Sequence, residues 1–203
     1  MDPVEFRETL RKSVESASRD MLSLSRKMLK EDPESKDYFH YEAHYKAHLY
    51  HFLLLNGINY EGMFLETRPE TSKVSSNHID LWYRDPKDGY NFLIEVKQIY
   101  GLNKTKDDIN DRDYLTYYTD EKGSKSGIVK DIIKLGDSCG NSNEYHGVML
   151  MYWADPKVLE NLDLQSVKKS VIRRVREEKP ETDTTQVELL WSSSRTTEYV
   201  SLS

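Results

Sequence analysis

The chain has 203 residues, 37% hydrophobic and 32% charged, with a formal net charge of −6; that length suffices for one sizeable core, and the acidic balance argues against indiscriminate coating of nucleic acid, which needs excess Lys and Arg. The single cysteine, Cys139, excludes an internal disulfide framework and a CxxC metal pair. No stretch approaches the roughly 20 apolar residues of a membrane span, and "MDPVEFRETLRKS" lacks the apolar core of a signal peptide, so a cytoplasmic chain is expected.

Taken in chain order, Phe6, Leu10, Val14, Ala17, Met21, Leu24 and Met28 recur at steps of four and three, which predicts a helix over residues 3–30, stopped by "EDP". Residues 1–36 thus read as a helical extension ahead of a main domain over residues 37–203. The stripe has two readings: a dimer seam of about three heptads, or an amphipathic helix lying on its own domain. A second helix is predicted from Asp37 to Leu55, ended by Asn56 and Gly57. Strands follow around residues 63–67, 78–84 and 90–100, the last two joined by the turn "DPKDG". After a polar, tyrosine-dotted connection, Ser124 or Ser126 is expected to cap a helix through "GIVKDIIKLG" that ends at Gly136. "HGVMLMYWA" reads as a buried strand, residues 163–179 as a helix and "QVELLWS" as the last strand, with the final "SSSRTTEYVSLS" expected to fray. The pattern is an α/β or α+β domain with a mixed central sheet flanked by helices.

The chemistry sits in "GYNFLIEVKQI". Glu95 and Lys97 interrupt an apolar strand and point to one side of it, because side chains in extended chain alternate faces. Such charges are seldom buried unless paired or coordinated. On the preceding strand Asp80 stands between Ile79 and Leu81, and a hairpin about "DPKDG" brings it beside Glu95. Two carboxylates so placed repel, and one keeps its proton unless a cation screens them. Mg²⁺ provides that screening through one or two carboxylates with water completing its octahedron. A lysine beside the metal orients an attacking water and offsets charge on a phosphate. Together these groups point to metal-assisted phosphodiester hydrolysis. Glu42 shares the inward side of its helix with Leu49 and Leu53, which makes it a further candidate ligand, and Lys46 is its i,i+4 partner.

"HID", fourteen residues and then "EVK", preceded by a helical glutamate, resembles the PD-(D/E)XK nuclease superfamily, the fold of restriction endonucleases. The family core of helix, three strands, helix and strand is similar to the order read here from Asp37 to Ala154. The resemblance implies a restriction-endonuclease-like core over residues 37–203. It also implies that Asp80, Glu95 and the backbone carbonyl of Val96 bind Mg²⁺ (or Mn²⁺ in its place), that Lys97 works on the nucleophilic water, and that Glu42 supports the metal. Ile79 stands where the motif's name has proline.

The expected partner is double-stranded DNA, and since duplex cutting needs two sites, a homodimer through the N-terminal helix is expected. Candidate nucleic-acid contacts are Tyr117 in the tyrosine-dotted connection, and Lys125, Lys130 and Lys134, whose helix flanks the cleft in the resembled fold. Arg173 joins them from the basic run "KKSVIRRVREEK". Glu66 is a reserve candidate for the site, and Gln98 is read as a structural hydrogen-bonding residue. His40, His44, His48 and His51 form a one-sided stripe without the HExxH pattern of a zinc hydrolase, and read as a polar outer face. The alternative function is a catalytically inactive nucleic-acid-binding or interaction module on the same fold.

Overall fold

The computed structural model describes residues 1–31, 42–67, 78–99, 127–153, 164–192 and 197–202. Helices α1 (Pro3–Glu31) and α2 (Glu42–Leu55) precede strands β1 (Met63–Thr67), β2 (Ile79–Arg84) and β3 (Asn91–Ile99). Then come α3 (Ile128–Cys139), β4 (Tyr145–Trp153), α4 (Leu164–Glu178), β5 (Val187–Ser192) and β6 (Thr197–Ser201). The strands form one mixed sheet in the order β1-β2-β3-β4-β5-β6. The pairs β1–β2, β2–β3 and β5–β6 are antiparallel, whereas β3–β4 and β4–β5 are parallel. The fold is therefore of α+β class, with a helix-covered mixed sheet and an N-terminal helix. Among the described residues no helix is long and apolar enough to cross a membrane.

Alternation along the strands divides the core into two layers. Leu81, Tyr83, Phe92, Ile94, Val96, Val148, Leu150 and Tyr152 face α1 and α2. Leu93, Met149, Met151, Leu189 and Trp191 face α3 and α4. Since side chains two apart share a face, Glu95 and Lys97 belong with Leu93 on the α3–α4 side.

The α1 stripe is spent within the chain. Phe6, Leu10, Val14, Ala17 and Met21 are at most 3% exposed, as in an amphipathic helix lying on its own domain. Phe6 stacks on Phe92 with ring centroids 3.8 Å apart. Where α1, α2 and β5 meet, Ser18 Oγ bonds to both the Tyr45 hydroxyl (3.2 Å) and Ser192 Oγ (2.9 Å), satisfying buried hydroxyls that would otherwise cost stability.

Three boundaries differ from the sequence reading. Helix α3 starts after Gly127, which offers no side-chain cap, and runs past Gly136 to Cys139 with Gly140 at φ +55° as its C-cap. Gly136 lies inside the helix because a Cβ there would stand 2.6 Å from Thr182 Cγ2 and 2.7 Å from the Asp183 carbonyl oxygen. It is a close-packing glycine, not a terminator. The C-terminal tail, expected to fray, instead forms β6, with Leu190 opposite Tyr199 and Leu202 buried. The predicted start of the second helix at Asp37, His40, the 36/37 boundary, and Ala154 lie outside the described residues.

Burial separates Leu10, which is 0% exposed, from Leu24 on the same helix, which is 36% exposed. Leu10→Ala is expected to cost about 2–5 kcal/mol in urea unfolding, and Leu24→Ala within roughly 0.5 kcal/mol. Equal small effects would mean that α1 does not belong to the core.

Candidate functional site

The β2–β3 hairpin sets the geometry. Its turn is closed by Asp85, which is 5% exposed. The Asp85 carboxylate accepts from the Tyr83 hydroxyl (2.8 Å) and from the amides of Lys87 (3.2 Å) and Asp88 (2.6 Å). Gly89, at φ +77°, supplies the left-handed residue such a turn requires. The resulting register pairs Leu81 with Ile94 and Trp82 with Leu93. The next step places Asp80 against Glu95, and the Asp80 amide lies 3.3 Å from Glu95 Oε1. The expected juxtaposition is therefore present: Asp80 is beside Glu95, with Lys97 two residues further on the same face.

Asp80 has both oxygens engaged. Oδ2 accepts from the Val96 amide at 2.8 Å, and Oδ1 from Lys46 Nζ at 2.8 Å. Lys46 belongs to α2, whose inward residues Tyr45, Leu49 and Leu53 cover the other side of the sheet. The site thus lies where the two helical layers meet. Lys46 Nζ is also 2.8 Å from Glu66 and 3.5 Å from Glu42. Glu66 interrupts the β1–β2 ladder between Leu65↔Leu81 and Thr67↔Ile79, opposite Asp80. Its φ of +48° makes it the one non-glycine residue with positive φ among the described residues. A left-handed non-glycine residue costs roughly 1–3 kcal/mol and persists only where its surroundings hold it. Here they are the Lys46 ion pair and a 3.2 Å contact between His78 Nδ1 and the Glu66 carbonyl oxygen.

Helix α3 supplies the other half of the site. Lys134 Nζ is 2.7 Å from Glu95 Oε1 and donates to the His78 carbonyl oxygen at 3.0 Å. Asp131, in the first turn, lies 3.4 Å from Lys97 Nζ through Oδ2 and 3.7 Å from Lys134 Nζ through Oδ1. Acidic residues suit a helix N-terminus electrostatically, so Asp131 serves both its helix and the two lysines. Glu42, Glu66, Asp80, Glu95 and Asp131 face Lys46, Lys97 and Lys134: five carboxylates against three ammonium groups. Among the described residues the formal deficit is two positive charges.

The pKa of Glu95 rises to about 8. Burial is the chief cause, and the neighbouring Asp80 charge adds to it; together they outweigh the opposing pull of Lys134. The donor set fits a divalent cation chemically in offering hard oxygen ligands. Among the described residues no group of three or more His, Cys, Asp or Glu side chains converges as a ready-made metal cage. Mg²⁺ commonly uses one or two carboxylates and completes its shell with water or substrate oxygens.

The remaining candidates are scattered. Tyr117 and Lys125 and the side chain of Gln98 lie outside the described residues. Lys130 is half-buried on α3. Lys134, expected to flank the cleft, lies inside the carboxylate cluster instead. Arg173 is exposed on α4, pairs with Glu177 at 3.0 Å, and lines a separate open groove of about 540 Å³ with Lys169, Ile172 and Arg176. In the histidine stripe, His44 and His51 are exposed, and His48 Nδ1 lies 3.6 Å from Asp20. The sequence reading did not find Asp131 or the Lys46–Asp80 pair. The i,i+3 spacing of Asp131 and Lys134 was the available signal for the first; the second joins residues on different layers, and no local spacing reports it.

An acid whose pKa is raised on folding binds its proton more tightly in the native state, so it removes stability as pH climbs from its ordinary value towards about 8. In EDTA, Glu95→Gln is expected to melt close to the parent near pH 5.5 and progressively above it by pH 9. A pH-independent difference in melting temperature would show that Glu95 is ionised throughout.

Comparison of the chain with family models, with curated proteins and with solved structures gave no match in any of the three.

Proposed function

We propose that this chain is a Mg²⁺-dependent nuclease that hydrolyses phosphodiester bonds of double-stranded DNA, with Mn²⁺ able to substitute. The observation that carries this reading is the meeting of Asp80, Glu95 and Lys97 on one face at one end of the β2–β3 pair, in a cluster short of two positive charges. The element order from Glu42 to Trp153, helix, three strands, helix and strand, also supports it. That is the order the PD-(D/E)XK resemblance implies for a restriction-endonuclease-like core.

In this reading Asp80, Glu95 and the Val96 carbonyl hold the metal, and Glu42 supports it from α2. Bound Mg²⁺ supplies a Lewis acid for a phosphoryl oxygen and lowers the pKa of a bound water. Lys97, its ammonium held near Asp131, orients the attacking water and offsets charge developing on the phosphate. Glu95, desolvated by burial and set beside Asp80, would be ionised when positive charge is supplied beside it. Lys130 on α3 and Arg173 on α4 are phosphate contacts in the same reading.

One observation favours a second reading: both metal-binding carboxylates already carry lysine partners, as they would in a catalytically inactive nucleic-acid-binding or interaction module. Supercoiled plasmid and labelled oligonucleotides, incubated with Mg²⁺, Mn²⁺ or EDTA, separate the two. Metal-dependent cutting is expected, abolished by EDTA and lowered at least about 100-fold by Asp80→Asn, Glu95→Gln or Lys97→Ala. Retention of nucleic acid without cleavage under any metal would replace the nuclease with the module, and neither cutting nor binding would overturn both.

A further inference from the structure

The lysines that engage the two carboxylates each have somewhere else to go. Lys46 Nζ bonds Asp80 Oδ1 at 2.8 Å, yet lies equally close to Glu66, whose side chain is 63% exposed, and 3.5 Å from Glu42. Lys134 Nζ lies 2.7 Å from Glu95 Oε1, but also 3.7 Å from Asp131 Oδ1, and it donates to the His78 carbonyl oxygen. Each ammonium occupies lone pairs that a divalent cation would need, and each has a second acceptor within reach of a small side-chain movement. Lysine suits such a part, being a point charge on a flexible stem without the bidentate fork that would lock an arginine to a carboxylate.

We infer that Lys46 and Lys134 are the resident counter-cations of this site, and that divalent-cation binding is an exchange. Lys46 withdraws from Asp80 towards Glu66 alone, Glu42 being kept for the metal, and Lys134 withdraws from Glu95 towards Asp131. The inference rests on the reading of Asp80 and Glu95 as metal-binding carboxylates. It gives Glu66 a definite role: a carboxylate outside the metal's donor set that receives the displaced Lys46 and so favours metal binding indirectly. It also makes the lysines competitors of the metal. Without them the metal-free protein loses stability, because a partly or fully buried carboxylate is left uncompensated, while the metal binds more tightly.

The test is calorimetric titration of MnCl₂ into the EDTA-stripped and dialysed whole chain without nucleic acid, alongside its melting temperature in EDTA. Lys46→Met and Lys134→Met are each expected to bind Mn²⁺ about tenfold more tightly than the parent, the scale of one partly buried ion pair, and to melt lower in EDTA. Glu66→Gln, a change at an exposed side chain, is expected to weaken Mn²⁺ binding in the parent background and to have no effect beside Lys46→Met, since its influence passes through Lys46. A Glu66→Gln effect that persists beside Lys46→Met would make Glu66 a direct ligand and overturn the Lys46 half of the exchange. Unchanged or weaker Mn²⁺ affinity in both lysine variants, with the circular dichroism of the parent, overturns the exchange and leaves the metal reading standing. Absence of Mn²⁺ binding from the parent and every variant overturns both.

Discussion

The register of β2 against β3 is the constraint on which the site depends. Side chains alternate faces along a strand, so a slip of one residue would send Asp80 to the α1–α2 side and leave Glu95 opposite an apolar residue. The turn prevents that slip. Asp85 is tied to Tyr83 and to two turn amides, Gly89 takes a backbone conformation that other residues adopt only with strain, and Trp82 Nε1 donates to Asn91 Oδ1 at 3.1 Å across the pair. These bonds lie at the hairpin's closed end, away from the carboxylates.

At the open end, the sheet and both helical layers contribute charge to one small volume. β2 and β3 bring Asp80, Glu95 and Lys97; α2 brings Glu42 and Lys46; α3 brings Asp131 and Lys134; and the kinked β1 brings Glu66. The covering helices must stay in register with the sheet for these groups to meet. The α1 stripe and the Ser18–Tyr45–Ser192 hydroxyl cluster bear on this, because they anchor α2 to the sheet from behind. A core substitution in α1 is thereby linked to the position of Lys46, although α1 itself carries none of the site's charges.

Much of this arrangement was legible in the sequence, and what was missed shares a cause. Strong periodicity exposed α1 and the strands, and "DPKDG" between two apolar runs revealed the hairpin and hence the meeting of Asp80 with Glu95. The misreadings came where tertiary packing overrode a local signal. Gly136 looks like a helix end but makes room for Thr182 and Asp183. The polar tail looks frayed but pairs with β5, which leaves Leu202 buried. Lys134 looks like a surface cation at helical spacing, yet its tip reaches a strand carboxylate. Lys46 does pair with its i,i+4 neighbour Glu42 at 3.5 Å, as read, while its shorter contacts, to residues 20 and 34 positions away in the chain, are ones no local spacing reports.

The charge cluster is difficult to explain as scaffolding. Desolvating a carboxylate and an ammonium costs more than an ordinary surface pair returns, and well-packed apolar side chains in place of a buried pair are often neutral or stabilising. Glu95 is 3% exposed and sits two residues from the buried Leu93, so its charge is held at a desolvated position. At its closed end the hairpin's register is held by Asp85, Gly89 and the Trp82–Asn91 bond, and at its open end Asp80 and Glu95 add bonds across the pair. A left-handed glutamate opposite Asp80 adds a further cost that a glycine would avoid. Costs concentrated at one end of the sheet, on residue types that share a demand for positive charge, accord with the proposed metal reading of Asp80 and Glu95.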